Sequence, residues 1–160
     1  MPHSTYRAFY DSPKMVMDLA KANLATYAAA IGTELGIDMP VIPADAFFDY
    51  DPGPLVSLWR FQVFSEDGPL DITSVEVVKS DNSMLVGIVG VNSDLGLLSA
   101  QVKAYVVAIV RMLADEAARN DEFVTLSRAT LSLPLQNSEQ HWFSLAGGVK
   151  VLVRSAEGSA

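Results

Sequence analysis

Three acids, Asp45, Asp49 and Asp51, fall within seven residues, interleaved with Phe47, Phe48 and Tyr50. Oxygen clusters of this kind can take Mg²⁺ or Ca²⁺. The spacing is not that of a calcium loop, which alternates its acids and then sets a Gly and a distant Glu. An exposed acidic loop is the simpler reading, so no metal or cofactor is expected. Nucleophilic catalysis needs a nucleophile, a base and a group that orients the base. The chain has no Cys, and its two histidines are His3 and His141. No G-x-S-x-G elbow occurs. Gly87-Ile88-Val89-Gly90 lacks the Lys and Ser/Thr of a phosphate loop and the third glycine of a dinucleotide site. No catalytic residue is assigned, and the expectation is a chain that is not an enzyme.

The aromatics carry a different signal. In Phe47-Phe48-Asp49-Tyr50 and in Trp142-Phe143, adjacent rings on an extended chain point to opposite sides. Both rings of a pair cannot enter one single-sided core. Phe47, Phe48, Tyr50, Trp142 and Phe143 are therefore candidate interface anchors, since aromatics are enriched in interface cores. Charge marks the same region. From Glu34 to Glu76 the chain has nine acids and one base, Arg60, so this segment alone accounts for the net charge of −8. Asp45, Asp49, Asp51, Glu66, Asp67 and Asp71 are candidates for an acidic docking face or the lining of a channel. Lys and Arg are sparse and scattered, whereas phosphate binding needs them clustered, so direct nucleic-acid binding is disfavoured.

The elements that must position these residues follow from periodicity and punctuation. Residues 1–11 read as an N-terminal arm. Ser12 and Pro13 suit a helix start, and Val16, Leu19, Leu24, Tyr27, Ala28, Ile31 and Leu35 form an apolar stripe that predicts a helix over about 13–35, stopped at Gly36. Pro40, Pro43, Pro52 and Gly53 keep 37–53 out of regular helix. Strands are expected over 55–64, with Trp59, Phe61 and Val63 on one face and Arg60 and Gln62 on the other, over 70–79, and over 84–91, this last central because it is apolar on both faces. Glu66–Pro69 and Ser80–Ser83 read as turns. Asn92, Ser93 and Asp94 are cap candidates for a second helix over 95–119, its stripe built on Leu98, Val102, Val106, Ile109, Leu113 and Ala117. Two more strands follow over 123–133 and 141–154, the second an edge strand with a bulge or close approach at Gly147-Gly148. Gln136–Gln140 is the loop between them, and 155–160 a polar tail. The prediction is an α+β fold in the order α-βββ-α-ββ, a mostly antiparallel sheet of about five strands with two long helices on one face.

The chain has 160 residues, the size of one domain. Half its residues are apolar and 19% charged, against about 25% charged in an ordinary soluble domain. A surface so poor in charge is expected to meet another protein. Met84–Val91 and Ala104–Val110, the longest apolar runs, fall short of the roughly 18–20 residues that span a bilayer. The start, MPHSTYRAFYDSP, lacks the basic and apolar regions of a signal peptide. An intracellular product with no membrane contact is expected.

The order of these elements, with the stretches 13–35, 55–91, 95–119 and 123–154, resembles the tail-terminator (tail-completion) proteins of long-tailed bacteriophages. The long Pro-rich 37–53 segment departs from that pattern and leaves room for a neighbouring head–tail joining or tail-tube subunit. The resemblance implies a structural virion protein, assembled in the host cytoplasm. Its subunits would form a homo-oligomeric ring, six by analogy, at the phage neck. The ring's partners would be the tail tube and the head connector, with DNA passing through but not bound. It implies no catalytic residues. An acid-lined passage repels phosphate, which fits the 34–76 segment. The alternative is a small cytoplasmic enzyme or ligand-binding domain with a pocket between helix and sheet, using Asp49, Asp51, Arg60 and His141. A weaker third reading is an adaptor that docks partners on the acidic loop.

Overall fold

The computed structural model describes residues 12–50, 59–65, 70–74, 77–119, 123–131, 135–137 and 142–158. The protein is an α+β fold. Helix α1 (Ser12–Leu35) leads to a two-residue strand β1 (Phe47–Phe48), then β2 (Arg60–Ser65), β3 (Leu70–Ser74) and β4 (Val77–Asn92). Helix α2 (Leu95–Arg119) follows, then β5 (Phe123–Leu131), β6 (Leu135–Asn137) and β7 (Trp142–Gly158). The seven strands form one sheet in the order β1-β2-β4-β7-β5, with β3 paired to β4 and β6 to β7. All pairs are antiparallel except β1 with β2.

Both helices lie on one face of this sheet, and the alternation of side chains along the strands decides which face. Trp59, Phe61 and Val63 at β2, Met84, Val86 and Ile88 on β4, and Leu145, Val149 and Val151 on β7 are all buried in one cluster with the helices. Register makes the layer continuous: Phe61 stands opposite Ile88, Val86 opposite Val149, and Met84 opposite Val151. From α1, Val16, Ala20, Leu24, Ala28 and Ile31 enter this layer, and from α2, Leu98, Val102, Ile109, Met112 and Leu113. The expected helices thus form within a residue of their predicted ends. Leu35 is the exception in the α1 stripe; it lies at the last turn and is exposed.

The caps are those the sequence offers. Asp94 accepts the Leu97 N–H on its Oδ1 at 3.1 Å and the Leu98 N–H on its carbonyl at 2.9 Å, closing the first turn of α2. Asn92 supports the cap, its Oδ1 accepting the Asp94 N–H at 3.0 Å. Helix α2 is apolar enough, over Leu95–Ala118, to cross a membrane by length and composition. Here the buried stripe just described seats it on the sheet.

Four expectations about the strands are corrected, the first being the single strand over 70–79: it is β3 and the start of β4, paired antiparallel with each other. Ser80–Ser83 is not a turn: β4 runs straight through it, paired residue for residue with Ser155–Leu152 of β7. Turn-forming side chains yield where a neighbouring strand satisfies every backbone group. For the same reason Ser155–Gly158 is strand and not tail, opposite Ser80–Val77. The Gly147-Gly148 pair carries no bulge, since the β4–β7 register is unbroken there and the shifts fall in the β5–β7 pairing near Thr125 and Arg128; it is the expected close backbone approach, where a Cβ on Gly148 would stand 3.3 Å from the Val86 carbonyl oxygen. Finally, β7 is not an edge. It lies between β4 and β5, and the outer position belongs to β5. Two short strands were also missed, β1 inside the Pro-rich connection and β6 at the start of the expected 136–140 loop.

Candidate functional site

The clearest concave feature is built where α1 ends. Gly36 adopts φ 65°, which favours glycine. Behind it the Ile37 N–H donates to the Gly32 carbonyl at 2.9 Å and the Gly36 N–H to the Thr33 carbonyl at 3.4 Å, the paired bonds of a Schellman helix end. The chain then doubles back over Gly32. A Cβ there would stand 2.6 Å from Met39 Cγ and 2.8 Å from the Ile37 carbonyl oxygen, so only glycine allows so close a crossing.

From Ile37 to Ala46 the chain forms a strap tied to α2 at two points. Gln101, a buried polar side chain, donates its Nε2 to the Asp38 carbonyl at 2.9 Å and accepts from Asn92 Nδ2 at 3.3 Å. One turn further on, the buried Tyr105 hydroxyl donates to the Pro40 carbonyl. Burial pushes the Tyr105 phenol from its ordinary 10.0 up to about 12, because the phenolate would be desolvated. The Tyr105 ring lies 5.5 Å from that of Trp59. Trp59 in turn donates its indole N–H to the Val91 carbonyl at 3.1 Å and covers Gly90, where a Cβ would stand 2.4 Å from the ring. Gly90 is therefore the position that lets an indole lie flat on the central strand. The strap ends in a turn, Ala46 N–H to Pro43 carbonyl at 2.9 Å, and delivers Phe47 beside β2.

Between strap and helix lies an open groove of about 530 Å³. Its walls are Ala25, Ala29 and Thr33 on α1 and Met39 and Val41 on the strap, with Phe47 and Tyr105 deeper in. The lining is mostly small and apolar, with Asp38 and Thr33 as its polar members. Its one buried acid–base group, Tyr105, is engaged as a donor to the strap. The groove suits contact with another apolar surface and offers no residue set for bond chemistry.

The predicted residues distribute as follows. Phe47 is half-buried and packs on Phe61 at 5.5 Å between ring centroids. Phe48 is half-buried and meets Tyr50 edge-on at 5.6 Å, and Tyr50 is 57% exposed. Phe143 is half-buried against the core. Trp142 is placed by register opposite Asn137, and Asp71 opposite Lys79. Asp45 and Asp49 are exposed on either side of β1. Among the described residues no group of three or more His, Asp or Glu side chains could hold a metal ion. Asp51, Glu66, Asp67 and His141, like residues 1–11, lie outside the described residues.

Arg60 corrects the pocket alternative. It is buried, but it alternates with Trp59 and Phe61 and so lies on the sheet face away from the helices, where its Nε donates to Gln62 Oε1 at 3.0 Å. It cannot join Asp49 in a pocket between helix and sheet. Sequence reasoning also passed over Gln101 and Tyr105 as strap anchors. A glutamine within an apolar helical stripe was the available signal: a buried amide must find partners.

No protein-family model matches the chain, and no curated protein matches it. Among solved structures, the chain is similar to one in the virion of a native gene transfer agent (GTA) particle. The alignment covers 84% of this chain and 94% of that one, at 11% identity and a TM-score of 0.34.

Proposed function

We propose that the protein is a structural virion subunit that assembles head-to-tail into a ring at the neck or tail top of a phage-like particle. There it would close the tail tube and join it to the head connector. The weight rests on the sheet edges and not on the gene-transfer-agent likeness. The sheet ends in two unlike edges on opposite sides. On one side is β5, nine residues long, which among the described residues pairs only with β7. On the other, among the described residues, are β3 and the end of β2, which β1 covers at Phe61 and Gln62. An open edge is a template for a further strand. Two different edges meeting between copies make a heterologous contact, which closes into a ring when the rotation permits. This moves the expected strand exchange from β7 to β5.

Two further features support the reading. Exposed Asp38, Asp45 and Asp49 give the 38–49 segment an acidic surface with no base of its own, suited to a passage that DNA must traverse without sticking. The low charged fraction suits a subunit with two covered sides. Light scattering after size exclusion, across a concentration series, tests the reading together with negative-stain images. A species of several subunits with a central hole is expected. A 17.2 kDa monomer at every concentration would overturn it.

A further inference from the structure

The groove at the end of α1 opens to solvent along an apolar mouth. Val41 on the strap side is 81% exposed, and Ala25 and Ala29 on the helix side are exposed as well. Filling such a mouth with another apolar group removes this surface from water. Asp38 is the one charged residue of the lining, and it too is exposed. Glu34 nearby is ion-paired with Arg111 at 3.3 Å, whereas the Asp38 carboxylate has no ion pair among the described residues. The groove therefore suits an occupant that carries aromatic or aliphatic side chains with a cation among them.

The chain supplies such a segment just before α1. Residues 6–10 read Tyr-Arg-Ala-Phe-Tyr, three aromatics around one arginine and no acid, against 9% aromatic for the whole chain. Rings at that density gain by burial, and an arginine among them can fork onto a carboxylate. We infer that residues 6–10 of one copy seat in the groove of a second copy, with aromatic rings between Ala29 and Val41 and the Arg7 guanidinium on the partner's Asp38. Reach excludes the subunit's own groove. The strap crosses α1 at Gly32, twenty residues on from Ser12, so the Asp38 end of the groove lies about 30 Å along the helix. Arg7 stands five residues before Ser12, at most about 18 Å of extended chain, too short even with its side chain added. Phe9 and Tyr10 are tethered closer still and stop short of Ala25, about 20 Å along α1. A second copy's segment has no such tether. The contact joins two unlike surfaces, so it runs round a ring or closes as a reciprocal pair. It rests on the reading that copies associate, and not on the strand edges.

The chain has no cysteine, so full-length single-cysteine variants report the contact directly. A8C is oxidised in a mixture with V41C at the groove mouth, and in a second mixture with K103C, an exposed position outside the groove lining. The first mixture is expected to form its mixed disulfide roughly ten-fold faster than the second, because only there are the two cysteines held within disulfide reach. R7D/A8C mixed with V41C is expected to lose that advantage. R7D/A8C mixed with D38R/V41C is expected to regain it, and circular dichroism checks that every variant folds. Equal rates in the first two mixtures, or no recovery with the exchanged charges, would overturn the proposal. So would an A8C/V41C double variant that closes its disulfide within one chain. Rings in micrographs without the mixed cross-link would overturn this contact and leave the ring reading standing; the mixed cross-link without rings would do the reverse.

Discussion

Helices α1 and α2 are nearly equal in length, 24 and 25 residues, yet they are built for different neighbours. Helix α2 buries large side chains over much of its circumference, from Leu98 through Tyr105 and Ile109 to Leu113, and its exposed positions include Lys103, Arg111 and Asp115. Its inner and outer faces are both settled within one subunit. Helix α1 uses a narrower stripe in which Ala20 and Ala28 alternate with Val16, Leu24 and Ile31, and its outer face is alanine and threonine. Polar ties between the helices at the surface include Tyr27 Oη to Asp115 Oδ2 at 2.6 Å and Arg111 to Glu34 at 3.3 Å. The lesson is that burial ranks α2 as the core helix, while the outer face of α1 is left small, uncharged and exposed.

The largest way to sharpen this contrast is to empty the core side of α2. Ile109→Ala removes a fully buried side chain and is expected to cost about 2–5 kcal/mol. Chemical denaturation would show it as a lower midpoint. If the midpoint barely moved, α2 would not be the core helix described here.

Next comes the junction of α1 with its strap. Gly32→Ala gains up to about 1 kcal/mol of helix propensity. It also drives a methyl into the carbonyl oxygen of Ile37, a residue whose own N–H is tied to the Gly32 carbonyl. A net loss of about 1–2 kcal/mol is expected, since overpacking costs about 1–3 kcal/mol. A more stable variant would show that the strap does not lie so close to α1.

Tyr105→Phe comes third. Losing the hydroxyl leaves the Pro40 carbonyl without this donor, at an expected cost of about 1 kcal/mol. It also changes the alkaline limb. The folded-state value of about 12 lies above the ordinary 10.0, so the unfolded chain gives up this proton first. The stability linked to Tyr105 is full below pH 10 and is lost as pH rises towards 12, about 2–3 kcal/mol in all. Denaturation midpoints measured between pH 9 and 12 should therefore fall less steeply in the Phe variant than in the parent chain. Parallel curves would remove Tyr105 from that slope.

The smallest effect on stability is expected where α1 faces outward. Ala29→Gln on the exposed face should shift the unfolding free energy, read by chemical denaturation, by no more than about 0.5 kcal/mol. A near-zero change there against a large one at Ile109 separates the α1 outer face from the inner face of α2.

Much of this architecture could be read in the chain. The apolar spacing of Leu98, Val102, Ile109 and Leu113, the cap at Asp94 and the stop at Gly36 are local features with local causes, and the helices formed where they indicate. The face of Trp59, Phe61 and Val63 was likewise legible from alternation. The strap was not. Its ties run from Gln101 to the carbonyl of Asp38 and from Tyr105 to that of Pro40, across more than sixty positions of sequence, and no local pattern encodes a backbone carbonyl as a partner.

The sequence by itself determined the two helices, the Asp94 cap, the Gly36 stop, the inward face of β2 and the concentration of acid between Glu34 and Glu76. Each depends on side chains within a turn or a strand of one another. Only the tertiary structure decided that Ser80–Ser83 would be strand, that β7 would lie inside the sheet and β5 at its edge, and that Gly90 would make room for Trp59. Those outcomes depend on which distant backbone supplies the missing hydrogen bonds and which distant side chain needs the space.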